Sequence, residues 1–150
     1  MNSNSRLNVL LVDDDHNDAA LLGIAIEKSD FNIWLQTVTD GGLAIDYLEG
    51  RGDYSDRSLH PLPDLLVLDL DMRLTGGLEF LEWRRASAAF SSLPVVIFSG
   101  FAYKGAIDTA LAMGARTYFA KPTEFEGWQT VVQRVWELGT ECLNDTGAVG

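Results

Sequence analysis

Two acidic clusters concentrate the chemistry of this chain: Asp13-Asp14-Asp15 directly after Val12, and Asp69-Leu70-Asp71 directly after Leu68. Each follows a short apolar run of the kind that forms a buried strand, so a shared sheet would gather the carboxylates in one crevice. Neighbouring strand ends lie only ~5 Å apart. Two carboxylates ~4 Å apart repel by roughly 4 kcal/mol at an effective dielectric near 20, and their pKa values rise unless a cation intervenes. Such a cleft of hard oxygens suits Mg²⁺, which retains several waters. Acids at strand ends also serve as solvated loop residues or helix caps, and Asp15, just before a helical stretch, fits that role. Solvation alone accounts poorly for Asp13, Asp14 and Asp69 together, since a surface Asp needs no apolar strand to aim it. Ser99-Gly100 and Lys121-Pro122 end two later apolar runs. Singly, Ser99 reads as a turn residue and Lys121 as a surface lysine. Jointly they add an oxygen donor and a mobile cation, completing the parts for phosphoryl transfer onto an aspartate.

The elements that must position these residues are legible as an alternation. Apolar runs at residues 9–12, 31–38, 65–70, 95–98 and, more weakly, 117–120 predict strands. Stretches of helical length at 16–28, 40–49, 77–89, 104–113 and 124–138 lie between and after them. Asp40 is placed to cap the second helix and Gly114 to end the fourth. The pattern predicts an α/β domain: a doubly wound five-stranded parallel sheet of flavodoxin-like order 2-1-3-4-5, with helices on both faces. In that order the crevice lies at the carboxyl ends of the first and third strands, where the two acidic clusters stand.

The chain has 150 residues, 47% hydrophobic, enough for one domain with a sizeable core. Residues 7–138 are read as that domain, 1–6 as a flexible N-terminus and 139–150 as a flexible tail. Eleven Lys plus Arg against 22 Asp plus Glu give a net charge of −11, which argues against direct DNA binding and against an anionic membrane surface. A lone cysteine, Cys142, a polar N-terminus and no span-length apolar run lead to the expectation of a cytoplasmic protein. Residues 50–63 read as a long loop, and the Arg51-Gly52-Asp53 within it is assigned no function. Trp128, Val131, Val132, Val135 and Trp136 fit a core helix or, if exposed in excess, a homodimer surface. Phe101 and Tyr103 are candidates for a partner-docking surface beside Ser99.

Val12-Asp13-Asp14, Leu68-Asp69 with Met72, Gly76-Gly77-Leu78-Glu79-Phe80-Leu81, Val96-Ile97-Phe98-Ser99-Gly100 and Lys121-Pro122 resemble the receiver domain of two-component response regulators. The resemblance covers about residues 7 to 138, and it is most similar to the stand-alone regulators that accompany phytochrome-type kinases. It implies that Asp69 is the phosphoacceptor. It also implies that Asp14 binds Mg²⁺ directly, Asp13 mainly through water and Asp71 by its backbone carbonyl. Ser99 would hydrogen-bond a phosphoryl oxygen, Lys121 would pair with the phosphoryl group or Asp69, and Tyr118 would be the aromatic switch. The Lys121–Pro122 bond would be cis. The implied donor is a sensor histidine kinase, and the implied output is a conformational switch read by a downstream protein target, with no catalysis beyond the domain's own phosphorylation and dephosphorylation. Arg73 departs from the family's usual Pro. A haloacid-dehalogenase-type phosphohydrolase is the rival, since Asp69-Leu70-Asp71 resembles its opening motif. Arg73 and the lack of an acidic pair after Lys121 oppose it. A receiver that folds but is never phosphorylated is the remaining alternative.

Overall fold

The structure is a computed structural model and describes residues 5–72, 76–100 and 104–149, with side chains through residue 143. Arg73, Phe101 and Tyr103, singled out above, lie outside the described residues. Strands β1 (Leu7–Val12), β2 (Ile33–Val38), β3 (Leu65–Leu68), β4 (Val95–Ser99) and β5 (Tyr118–Ala120) alternate with helices α1 (His16–Glu27), α2 (Gly41–Glu49), α3 (Gly77–Ala86), α4 (Lys104–Ala112) and α5 (Phe125–Val149). All strand pairs are parallel, in the expected order β2-β1-β3-β4-β5.

Strand residues alternate between two cores, as the period of two requires. Leu7, Val9, Leu11, Ile33, Leu65, Val67, Val96 and Phe98 pack against α1 and α5. Leu10, Val12, Val38, Leu66, Leu68, Val95 and Ile97 meet α2, α3 and α4 on the other face. Every residue of β3 is fully buried, which explains a run with no polar position. Asp15 caps α1 by accepting from the N–H groups of Asn17 and Asp18, and Asp40 caps α2 through the N–H of Leu43. Gly114, just past α4, takes the left-handed φ of +107°.

One expectation is corrected. Helix α5 runs through the segment read as tail, to Val149. Its inward stripe continues as Val135, Leu138, Gly139 and Cys142, and a side chain at Gly139 would collide with that of Leu7 at 2.5 Å. The missing side chain at Gly139 is what lets the helix lie against β1. Residues 50–63 are a long loop, as expected, and it is held by its own contacts. A 3₁₀ turn, Gly52–Ser55, opens it, and the Arg57 guanidinium donates to the carbonyls of Tyr47 and Leu48 (both 2.8 Å) and His60 (3.2 Å). Trp128, Val131, Val132 and Val135 are buried within the chain, and the half-buried Trp136 stacks on Phe31, so this stripe is core.

Candidate functional site

Each of the strand tips that carry Asp13, Asp69 and Lys121 is fixed to a neighbouring strand by a backbone hydrogen bond. The Asp13 N–H donates to the Val38 carbonyl (3.0 Å), the Asp69 N–H to Val12 (2.9 Å) and the Lys121 N–H to Ser99 (3.2 Å). Chain segments 52 and 103 residues apart thereby deliver their side chains to one point. The Lys121 ammonium lies 2.7 Å from Asp18 Oδ2, 3.0 Å from Asp69 Oδ2 and 3.0 Å from Asp13 Oδ2. Asp69 and Asp13 are held alike. Asp69 Oδ1 accepts the Asp71 N–H (3.0 Å) and Asp13 Oδ1 accepts the Asp15 N–H (2.9 Å), which turns each Oδ2 toward the lysine.

Carboxyl oxygens of Asp13, Asp14 and Asp69 lie within 4.8 Å of one another. Asp13 and Asp69 are 3% and 2% exposed, so water does little to screen their repulsion. Burial pushes the Asp13 carboxyl up to about 6, and the Asp15 N–H and Lys121 oppose that rise only in part. Burial pulls the Lys121 ammonium down, but the carboxylates of Asp18, Asp13 and Asp69 around it outweigh that effect and the pKa rises above the ordinary lysine value. Asp13 Oδ2 is buried and, despite the ion pair, forms no aligned hydrogen bond. A buried carboxylate oxygen left short of partners, beside two more oxygens from Asp14 and Asp69, fits a hard divalent cation.

The remaining predicted residues surround this point. Ser99, fully buried, donates its hydroxyl to Asp71 Oδ2 at 2.6 Å. The Tyr118 hydroxyl donates to the Ser99 carbonyl at 3.2 Å, which joins β5 to β4 beside the site. The cleft has a volume of about 1080 Å³, and Asp14, Asp18, Asp69, Asp71, Gly100 and Lys121 are among its lining residues. No cis peptide bond occurs among the described residues, so the Lys121–Pro122 bond is trans, contrary to expectation. Asp18 joins the site although it lies on a helix and not at a strand end, where the sequence places the other carboxylates. Its signal was an acid in the first turn of the helix that leaves the Asp13-Asp14-Asp15 tip.

A parallel 2-1-3-4-5 sheet carrying this acid–lysine cluster defines a receiver domain. Residues 9–133 match the family model of the response regulator receiver domain, and the chain belongs to that family. It is 29% identical over 132 residues to the probable methanogenesis regulatory protein FilR2 of Methanothrix harundinacea, covering 86% of this chain and 81% of that protein. It is 32% identical over 133 residues to the two-component response regulator ARR8 of Arabidopsis thaliana, covering 83% of this chain but only 58% of ARR8. Among solved structures it is similar to a response regulator in red light signaling of R. palustris, with TM-score 0.80 and 25% identity over 87% of this chain and 91% of that one. The bacteriophytochrome response regulator RtBRR gives TM-score 0.70 and 33% identity over 85% of this chain and 75% of that one. The receiver reading therefore displaces the phosphohydrolase alternative. No helix among the described residues is long and apolar enough to cross a membrane.

Proposed function

We propose that this protein accepts a phosphoryl group on Asp69 from a phosphohistidine of a sensor kinase, with Mg²⁺ bound, and signals through the resulting change of conformation. The observation that carries the reading is the meeting of Asp69 with Asp13, Asp14 and Lys121 at the strand tips. A carboxylate oxygen of Asp69 attacks phosphorus, the O–P bond forms as the N–P bond breaks, and the imidazole nitrogen leaves with the electron pair. Asp13, Asp14 and Asp69 would hold the metal with the Asp71 carbonyl. When bound, Mg²⁺ supplies charge neutralisation for the transferring group. Lys121 offers its ammonium to a phosphoryl oxygen. Ser99 does the same with its hydroxyl, which first has to leave Asp71. Tyr118, bonded to the Ser99 carbonyl, then feels any movement of β4 and passes it to the surface around β5.

The likeness to red-light and bacteriophytochrome regulators favours a phytochrome-type kinase, with the exchange taking place in the cytoplasm. A downstream protein completes the pathway, with neither direct DNA contact nor catalysis beyond the domain's own phosphorylation and dephosphorylation. Incubation with acetyl phosphate and Mg²⁺, followed by mass spectrometry, tests the reading. Native protein should gain one phosphoryl group, located on Asp69, and Asp69→Asn should gain none. A native protein that stays unlabelled and binds no beryllium fluoride would instead be a receiver that is never phosphorylated.

A further inference from the structure

We propose that Asp18 is the anchor of Lys121, a positioning residue that keeps the ammonium facing residue 69 once a divalent ion has engaged the other carboxylates. The inference rests on the acceptor role of Asp69 given above. Of the three carboxylates on Lys121 Nζ, Asp18 makes the shortest contact, 2.7 Å against 3.0 Å for Asp13 and for Asp69. Asp13 and Asp69 belong to the cluster able to hold an ion, and Asp18 does not. Each of those two already commits Oδ1 to a backbone N–H, which leaves one well-placed oxygen to divide between cation and ammonium. A divalent ion held by these carboxylates would compete with the lysine for them and repel it. A flexible four-carbon side chain would then swing into the open cleft unless something else retained it.

Asp18 is built for that task. It sits in the first turn of α1, its N–H tied to the Asp15 cap at 3.4 Å, so the carboxylate projects from a rigid element. The pair is no solvated surface contact: the Asp18 and Lys121 side chains are 16% and 14% exposed. With Asp18 holding one N–H of the ammonium, another remains directed at residue 69, where a phosphoryl oxygen would replace Asp69 Oδ2. The rival role for Asp18 is mere charge. A carboxylate lining the cleft repels an incoming anion, so its neutralisation would speed phosphorylation. The two roles predict opposite signs.

The test compares native protein, Asp18→Asn, Lys121→Gln and the double variant at saturating Mg²⁺. The rate of Asp69 labelling by acetyl phosphate should fall roughly tenfold in Asp18→Asn. The same substitution should change nothing further in the Lys121→Gln background, because its effect passes through the lysine. Without any phosphoryl donor, the ¹⁵N-edited NMR signal of the Lys121 ammonium should survive Mg²⁺ addition in native protein and vanish in Asp18→Asn. An unchanged or faster rate, an equal loss without the lysine, or an ammonium signal that persists in Asp18→Asn overturns the anchor. Failure of native protein to label Asp69 would refute the acceptor role instead, and the ammonium signal then decides the anchor alone.

Discussion

At the scale of single residues, the placement of Asp69 depends on a neighbour that has no side chain. A Cβ on Gly77 would stand 2.9 Å from the Asp69 carbonyl oxygen and 2.8 Å from Leu70 Cδ2. The backbone oxygen cannot yield without moving the strand tip that carries the carboxylate. Gly77→Ala should therefore cost about 1–3 kcal/mol of stability through overpacking, read as a lower urea midpoint, and should slow the labelling of Asp69. Gly76→Ala is the control: a Cβ there meets nothing within 4 Å, so it should leave the labelling of Asp69 unchanged and cost only the weaker helix cap. The sequence shows two adjacent glycines but not which one is indispensable, because that depends on how closely α3 approaches β3. Asp13, Asp14, Asp69 and Lys121 were legible because each ends an apolar run. Asp18 was not, because a helical acid becomes a site residue only when a lysine 103 positions away is brought to it.

Secondary-structure elements show the same division between pattern and contact. The strands and the starts of the helices follow from hydrophobic periodicity and capping residues, whereas the end of α5 depends on Gly139 meeting Leu7. The loop after α2 depends on one arginine. Arg57 satisfies two carbonyls in the last turn of α2, and replacing it by Met should cost about 1.5–3 kcal/mol, the usual range for a hydrogen bond to a charged donor. Comparison of denaturation midpoints measures this directly. Tyr47, on the same turn, donates to the Pro61 carbonyl at 2.8 Å and is 1% exposed. Burial raises its phenol from 10.0 to about 12. The folded state thus retains a proton that the unfolded state releases. The stability linked to it is complete below pH 10 and disappears as pH rises through about 12. Urea denaturation between pH 9 and pH 12 should show this decline in native protein. In Tyr47→Phe, that share of the decline should be missing.

For the molecule as a whole, stability is exchanged for a charged site. The strand order was legible because fully apolar runs demand cover on both faces, and connection rules leave few ways to provide it. The energetic consequence was not, since it depends on burial: two nearly inaccessible carboxylates share one ammonium in a chain of net charge −11. Without a divalent ion, Lys121 is the counter-charge that lets this crevice fold, so Lys121→Gln should lower the melting temperature most in chelator. A ligand at 100 times its dissociation constant stabilises by about 2.7 kcal/mol, or roughly 5–10 °C for a domain of this size. Mg²⁺ should raise the native melting temperature by that amount. In Lys121→Gln the rise should be larger, because the ion then replaces the missing positive charge as well as occupying its own site. Differential scanning calorimetry of both proteins, with Mg²⁺ and with chelator, measures the coupling. Equal increments would mean that lysine and ion act on separate carboxylates, although Asp13 and Asp69 belong both to the lysine's ion pairs and to the cluster able to hold a metal.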